Sequence, residues 1–252
     1  MGLILMTIFI HYKDMNLEWL QGIVTNRIDE AYNTKRIFIE VQGIEQFDFK
    51  PGQFVTLDLP IHEKKNKRWR SYSIASAPNG GNTFELIIVL LEGGLGSNFL
   101  CNEINIGDTI TFRGPTGVFV LPETMDQNYY MICTGTGIAP FRSMIHHIQQ
   151  QQIPTKNIYL IFGTRTQQDL LYFDELNALQ NEMPQFHFIP TLSREEWKGE
   201  HGYVHAIYQR LCKDDPDAQF LLCGWKKMID EARSNLLTLG YDKKQIHFEL
   251  YG

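Results

Sequence analysis

A change of rhythm near residue 125 constrains this chain more than any other feature. Beyond it, short apolar runs at 129–133, 158–162, 186–190, 220–223 and 246–250 alternate with helical stretches at 139–150, 172–180, 204–211 and 227–239. Strands separated by helices cannot pair through tight turns. Each return crosses the sheet, which gives a parallel, doubly wound α/β layer covered on both faces. Before the change the pattern is all β. Runs at 22–28, 36–41, 54–59, 71–74, 84–91 and 109–112 are divided by turns such as Lys50-Pro51-Gly52 and Pro78-Asn79-Gly80-Gly81. Regular short strands of this kind predict an antiparallel barrel. One helix is predicted over 97–103, with Ser97 as its cap.

The expected organisation is therefore two domains, 1–123 a β-barrel and 124–252 an α/β domain, with the break in 121–127. The chain has 252 residues, enough for two cores. Residues 1–15 read as a disordered or non-native leader, with an added edge strand as the alternative; the apolar start is too short to span a bilayer and lacks signal-peptide flanks. No stable membrane insertion is expected.

Charge and cysteine usage narrow the function. A net charge of −6 argues against a general nucleic-acid binder, which needs a cationic surface. Cys101, Cys133, Cys212 and Cys223 form no CxxC pair, and neither zinc nor iron–sulfur spacing is present. They read as reduced thiols of a cytoplasmic protein. The histidines show no ligand spacing, and no metal site is expected.

Six short motifs occur in one order along the chain: Pro51-Gly52-Gln53-Phe54, Arg70-Ser71-Tyr72-Ser73, Gly94-Leu95-Gly96-Ser97, Arg113-Gly114-Pro115-Thr116-Gly117-Val118-Phe119, Gly135-Thr136-Gly137-Ile138-Ala139-Pro140 and Cys223-Gly224. Together they resemble the ferredoxin–NADP reductase superfamily over nearly the whole chain. The resemblance implies a flavin on the barrel and a nicotinamide nucleotide on the α/β domain.

The chemistry of the residues agrees. On a strand, Arg70 and Tyr72 share one face while Ser71 and Ser73 share the other. Arg70 offers a charged fork to a flavin phosphate, and Tyr72 a flat ring to isoalloxazine. By resemblance Ser73 lies near flavin N5, and Val89 joins the flavin set. Gly94, Gly96 and Ser97 precede a helical segment, where backbone N–H groups can face a pyrophosphate; this favours FAD. Gly135, Thr136 and Gly137 link a strand to a helix at the position where doubly wound sheets bind nucleotides.

Ser193-Arg194, with Thr164-Arg165 nearby, offers cations for a 2′-phosphate and so favours NADPH, with NADH possible. Ser193-Arg194-Glu195 also resembles the signature of NADPH-dependent members. Lys198 is a further nearby cation. By resemblance Cys223 abuts the nicotinamide, Glu249 sits close to it, and Tyr251 covers the flavin. The thiol of Cys223 is expected to face the nucleotide crevice. Ser73, Cys223 and Glu249 form the catalytic set, acting as tuning groups.

The run Lys64-Lys65-Asn66-Lys67-Arg68 is a candidate docking site for an acidic carrier such as ferredoxin or flavodoxin. Three functions remain open: a free-standing reductase, the reductase component of an oxygenase, and a flavin-binding relay subunit without catalysis of its own.

Overall fold

The computed structural model describes residues 18–251. The leader, 1–15, lies outside the described residues. The described chain forms two compact units. One comprises the chain up to Asp29 and Asn33–Val120; the other comprises Glu30–Tyr32 and everything from Leu121 on.

The first unit is a six-stranded sheet of β1 (Leu20–Ala31), β2 (Thr34–Val41), β3 (Phe54–Asp58), β4 (Trp69–Ser73), β5 (Thr83–Val89) and β6 (Thr109–Thr116). Its order is β4-β3-β6-β1-β2-β5, and the registered pairs are antiparallel. Just past β4, Ala75 N–H donates to the Glu85 carbonyl of β5 at 2.8 Å. The two ends of the order thus meet and the sheet curls towards a barrel. Strand β2 shows why the sequence pattern worked: Ile37, Ile39 and Val41 are fully buried, with half-buried Phe38 and Glu40 between them. The rings of Phe47, Phe84 and Phe112 meet in the core at centroid separations of 5.2–5.8 Å. Truncating such a core ring costs about 3–5 kcal/mol.

The predicted helix over 97–103 is different in detail. A single α-turn, α1 (Leu95–Asn98), runs into a π-helical turn, Phe99–Glu103. Ser97 sits inside the first turn and does not cap it. Its hydroxyl accepts the Leu91 N–H at 3.1 Å and donates to the Gly94 carbonyl at 3.0 Å. The helix starts two residues early because Gly94, in extended conformation, serves as N-cap.

The second unit holds β7 (Tyr129–Thr134), β8 (Ile158–Thr164), β9 (Phe186–Leu192), β10 (Glu200–His201), β11 (Gln219–Trp225) and β12 (Ile246–Tyr251). These alternate with α2 (Ala139–Gln150), α3 (Phe173–Glu182), α4 (Val204–Leu211) and α5 (Lys226–Thr238). All pairs are parallel, in the order β10-β9-β8-β7-β11-β12. Strand β7 is buried along Tyr129–Cys133 without alternation, the mark of a strand covered on both faces. The chain steps outwards from β7 to β10, then returns to β7's other side for β11. The switch point therefore lies at the C-terminal ends of β7 and β11. At the other end of the strands, His187, Tyr159, Tyr130 and Phe220 stack across four strands, with centroids 4.8–5.3 Å apart. Among the described residues no helix is long and apolar enough to cross a membrane.

Candidate functional site

Strand β4 delivers the first cluster. Ser71 faces Thr56 of β3, with hydroxyl oxygens 3.0 Å apart. Ser73 is buried at the strand end. Tyr72 packs on the barrel core, and burial pushes its phenol up to about 12 against the pull of nearby Arg70. Its hydroxyl therefore stays protonated and available as a donor at neutral pH.

Arg70 is held from two sides. Its Nη1 donates to the Lys67 and Trp69 carbonyls at 3.1 and 2.8 Å. Its stem lies against Gly96, where an added Cβ would fall 2.9 Å from Arg70 Cγ. Only glycine permits this approach. The arginine motif and the glycine loop, 26 positions apart in sequence, are thus one site. Val89 ends β5, and the Ser97 hydroxyl fixes the loop that follows it.

In the second unit, Thr134-Gly135-Thr136-Gly137 leaves β7 as a short 3-10 turn and enters α2, with Pro140 in the first helical turn. Pro costs nothing there, because the N–H it lacks would have had no intrahelical partner. The N–H groups opening this run likewise lack intrahelical carbonyls and can receive an anion. The loop is seated on β11. A Cβ on Gly137 would fall 2.5 Å from the Cys223 carbonyl oxygen. The Thr134 hydroxyl accepts the Trp225 N–H at 3.3 Å.

Cys223 pairs in register with Cys133 on one side and Glu249 on the other. It is fully buried, so its thiol does not stand open as expected from sequence. Tyr251 hydrogen-bonds with it across the β11–β12 pair. Burial pushes the thiol well above its ordinary range, with the Glu249 carboxylate adding to the effect. Cys223 is thus a neutral packing group and not a nucleophile.

Loops after β8 and β9 bring the two cationic pairs together. Ser193 and Arg194 N–H groups donate to the Thr164 and Arg165 carbonyls at 3.0 and 2.9 Å. The Ser193 hydroxyl also donates to the Thr164 carbonyl, at 3.2 Å. Arg194 is exposed, and its guanidinium has no partner among the described residues. Arg165 lies 3.6 Å from Asp169 and is 60% exposed. Glu195, the acid next to Arg194 in sequence, is engaged elsewhere: it accepts the Gln167 N–H at 2.9 Å and the Gln167 amide at 2.6 Å. These bonds hold its carboxyl below the usual range.

Comparison with known proteins assigns the units. Residues 21–121 match the family model of an oxidoreductase FAD-binding domain, and 131–234 that of an oxidoreductase NAD-binding domain. Ferredoxin--NADP reductase B of Sorangium cellulosum is 35% identical over 214 residues, 81% of this chain and 86% of that protein. The chain belongs to the ferredoxin–NADP reductase superfamily.

Other members show its range. The anthranilate 1,2-dioxygenase electron transfer component of Acinetobacter baylyi is 31% identical over 196 residues, 77% of this chain but only 55% of that protein. A crystal structure of a ferredoxin NADP+ reductase from Neisseria gonorrhoeae with bound FAD and NADP superposes with a TM-score of 0.78. It is 28% identical, over 92% of this chain and 98% of that one.

Arg70 lies close over Gly96 and presents Nε and Nη2 uncommitted among the described residues, donors that a flavin phosphate would need. Of the docking run, Lys64, Lys65 and Lys67 are exposed around a 3-10 turn, whereas Arg68 is tied to Asp58 at 2.7 Å. Sequence reading missed the Thr134 hydroxyl and Trp225. A hydroxyl directly after a buried strand, and an aromatic directly after Cys-Gly, were the available signals.

Proposed function

We propose that this chain, an FAD- and NAD(P)H-dependent electron-transfer oxidoreductase of the ferredoxin–NADP reductase family, prefers NADPH and passes electrons to a ferredoxin- or flavodoxin-like protein. The observation that carries the preference is Arg194: an exposed cation without a side-chain partner among the described residues, beside Arg165, with the neighbouring Glu195 bound to Gln167. A 2′-phosphate needs such cations, whereas a ribose diol calls for a free carboxylate.

In this reading Arg70 and the N–H groups of Leu95–Ser97 hold the FAD pyrophosphate, and Tyr72 lies on the ring. The bound flavin supplies hydride acceptance from nicotinamide and electron release singly or in pairs. Ser73 sets a hydroxyl at the reacting edge. The 135–137 loop receives the dinucleotide phosphates. Cys223, buried and neutral, fixes where the nicotinamide rests, and Glu249 beside it supplies the nearest carboxylate. The division between flavin and nucleotide domains at residue 123 belongs to the same proposal.

Lys64, Lys65 and Lys67 suit an acidic carrier. A purified-protein assay with NADPH, NADH and a panel of ferredoxins, flavodoxins and oxygenase components tests this. Reduction of the flavin without delivery to any carrier would contradict the acceptor assignment.

A further inference from the structure

Strand β11 ends on a residue unlike the rest of it. Phe220–Gly224 are all buried, yet Trp225 is 59% exposed. An indole gains from burial of its large ring, and its N–H usually finds a partner. Trp225 does neither, although its backbone is firmly placed. Its N–H bonds the Thr134 hydroxyl, it pairs in register with Tyr251, and it forms the N-cap of α5.

Its indole Nε1 stands 4.0 Å from where a Cβ on Gly135 would be. The ring thus borders the phosphate loop. No acceptor for Nε1 exists among the described residues. The adjacent cations are directed along α5: Lys226 pairs with Asp230, and Lys227 lies 3.8 Å from Glu231. Neither is the free partner of an anion at the loop, which leaves the indole N–H, with the Thr136 hydroxyl, as an unengaged side-chain donor there among the described residues.

We propose that Trp225 is a positioning residue for the nicotinamide dinucleotide, its ring bordering the Thr134–Gly137 loop and its indole N–H donating to a phosphate or ribose oxygen. The inference rests on the nucleotide-binding reading above. Indole is donor-only, and phosphate oxygens are acceptor-only, so the pairing is complementary. The ring adds apolar area that orders the bound dinucleotide without a flexible side chain.

The test is anaerobic stopped-flow reduction of the flavin-loaded protein over a range of NADPH and NADH concentrations. This separates Kd from the limiting rate. Trp225→Phe keeps a ring and loses the donor, so Kd should rise about 5–10-fold. Trp225→Leu loses both, and Kd should rise further, by about 30-fold. Limiting rates should stay within about threefold, and flavin content and melting temperature should not move, because the side chain is exposed. Titration with the oxidised dinucleotide should quench indole fluorescence in the wild type and much less in Trp225→Phe.

A Trp225→Leu protein whose Kd stays within about twofold of wild type overturns the proposal while leaving the nucleotide reading intact. An altered carrier KM with unchanged nucleotide Kd overturns it too and assigns Trp225 to the carrier instead. A wild-type flavin that neither nucleotide reduces removes the nucleotide reading and the proposal together.

Discussion

Arg70 and Arg194 are both suited to phosphate, and the chain holds them in opposite ways. Arg70 is fixed by two backbone carbonyls and by packing on Gly96. Arg194 is fixed only through its backbone N–H, and its guanidinium is exposed and unpartnered among the described residues. A preorganised fork loses little entropy on binding and so holds its ligand tightly, while a mobile one must be ordered each time. The first suits a cofactor that stays; the second suits a nucleotide that leaves after every turnover.

Cys223 gives the comparison its largest expected break. The thiol is enclosed and the dinucleotide phosphates are assigned elsewhere, so Cys223→Ala should change placement more than affinity. A misplacement of about 1 Å costs about 100-fold in rate. Single-turnover reduction should therefore slow strongly, with Kd nearly unchanged. An unaltered rate would make Cys223 an ordinary core thiol.

Next in size is Arg70→Ala. Loss of a charge-assisted contact worth about 1.5–3 kcal/mol should weaken flavin retention by about 10–150-fold, measured by dialysis and absorbance. Gly96→Ala should act in the same direction by displacing Arg70. Flavin retention equal to wild type in both would remove the contrast between resident and exchanging sites.

Arg194→Ala should lower the efficiency ratio of NADPH to NADH by about 10-fold or more, with NADH kinetics nearly constant. Equal losses for both nucleotides would mean that Arg194 acts through structure. Arg165→Ala should do less, about two- to threefold, because this cation is exposed and already shared with Asp169.

The two units also differ in how readable they were. The barrel strands announced themselves as short apolar runs between turns, and the α/β unit by strand–helix order. The motifs singled out Gly96 and Gly137, and there the structure shows the close approach that leaves glycine where no other residue fits. Local chemistry misled at Ser97. A serine before a turn reads as a cap, yet its hydroxyl instead holds the preceding loop.

The two-residue strand β10 was too short to carry any period. The end of β1 joins the second unit, where the Glu30 carboxylate accepts the Tyr172 N–H at 2.6 Å. No local pattern reports a bond between residues so far apart in sequence. Trp225 was visible only as a large aromatic in an unlikely place; its exposure is a property of the folded sheet.

The central claim is that this chain moves reducing equivalents from NADPH to a tightly held FAD. Anaerobic stopped-flow of the purified protein with each nucleotide, followed by release and chromatography of its flavin, tests it most directly. FAD reduced more efficiently by NADPH than by NADH is the expected result. A flavin that NADH reduces as well or better, or FMN in place of FAD, would contradict the account.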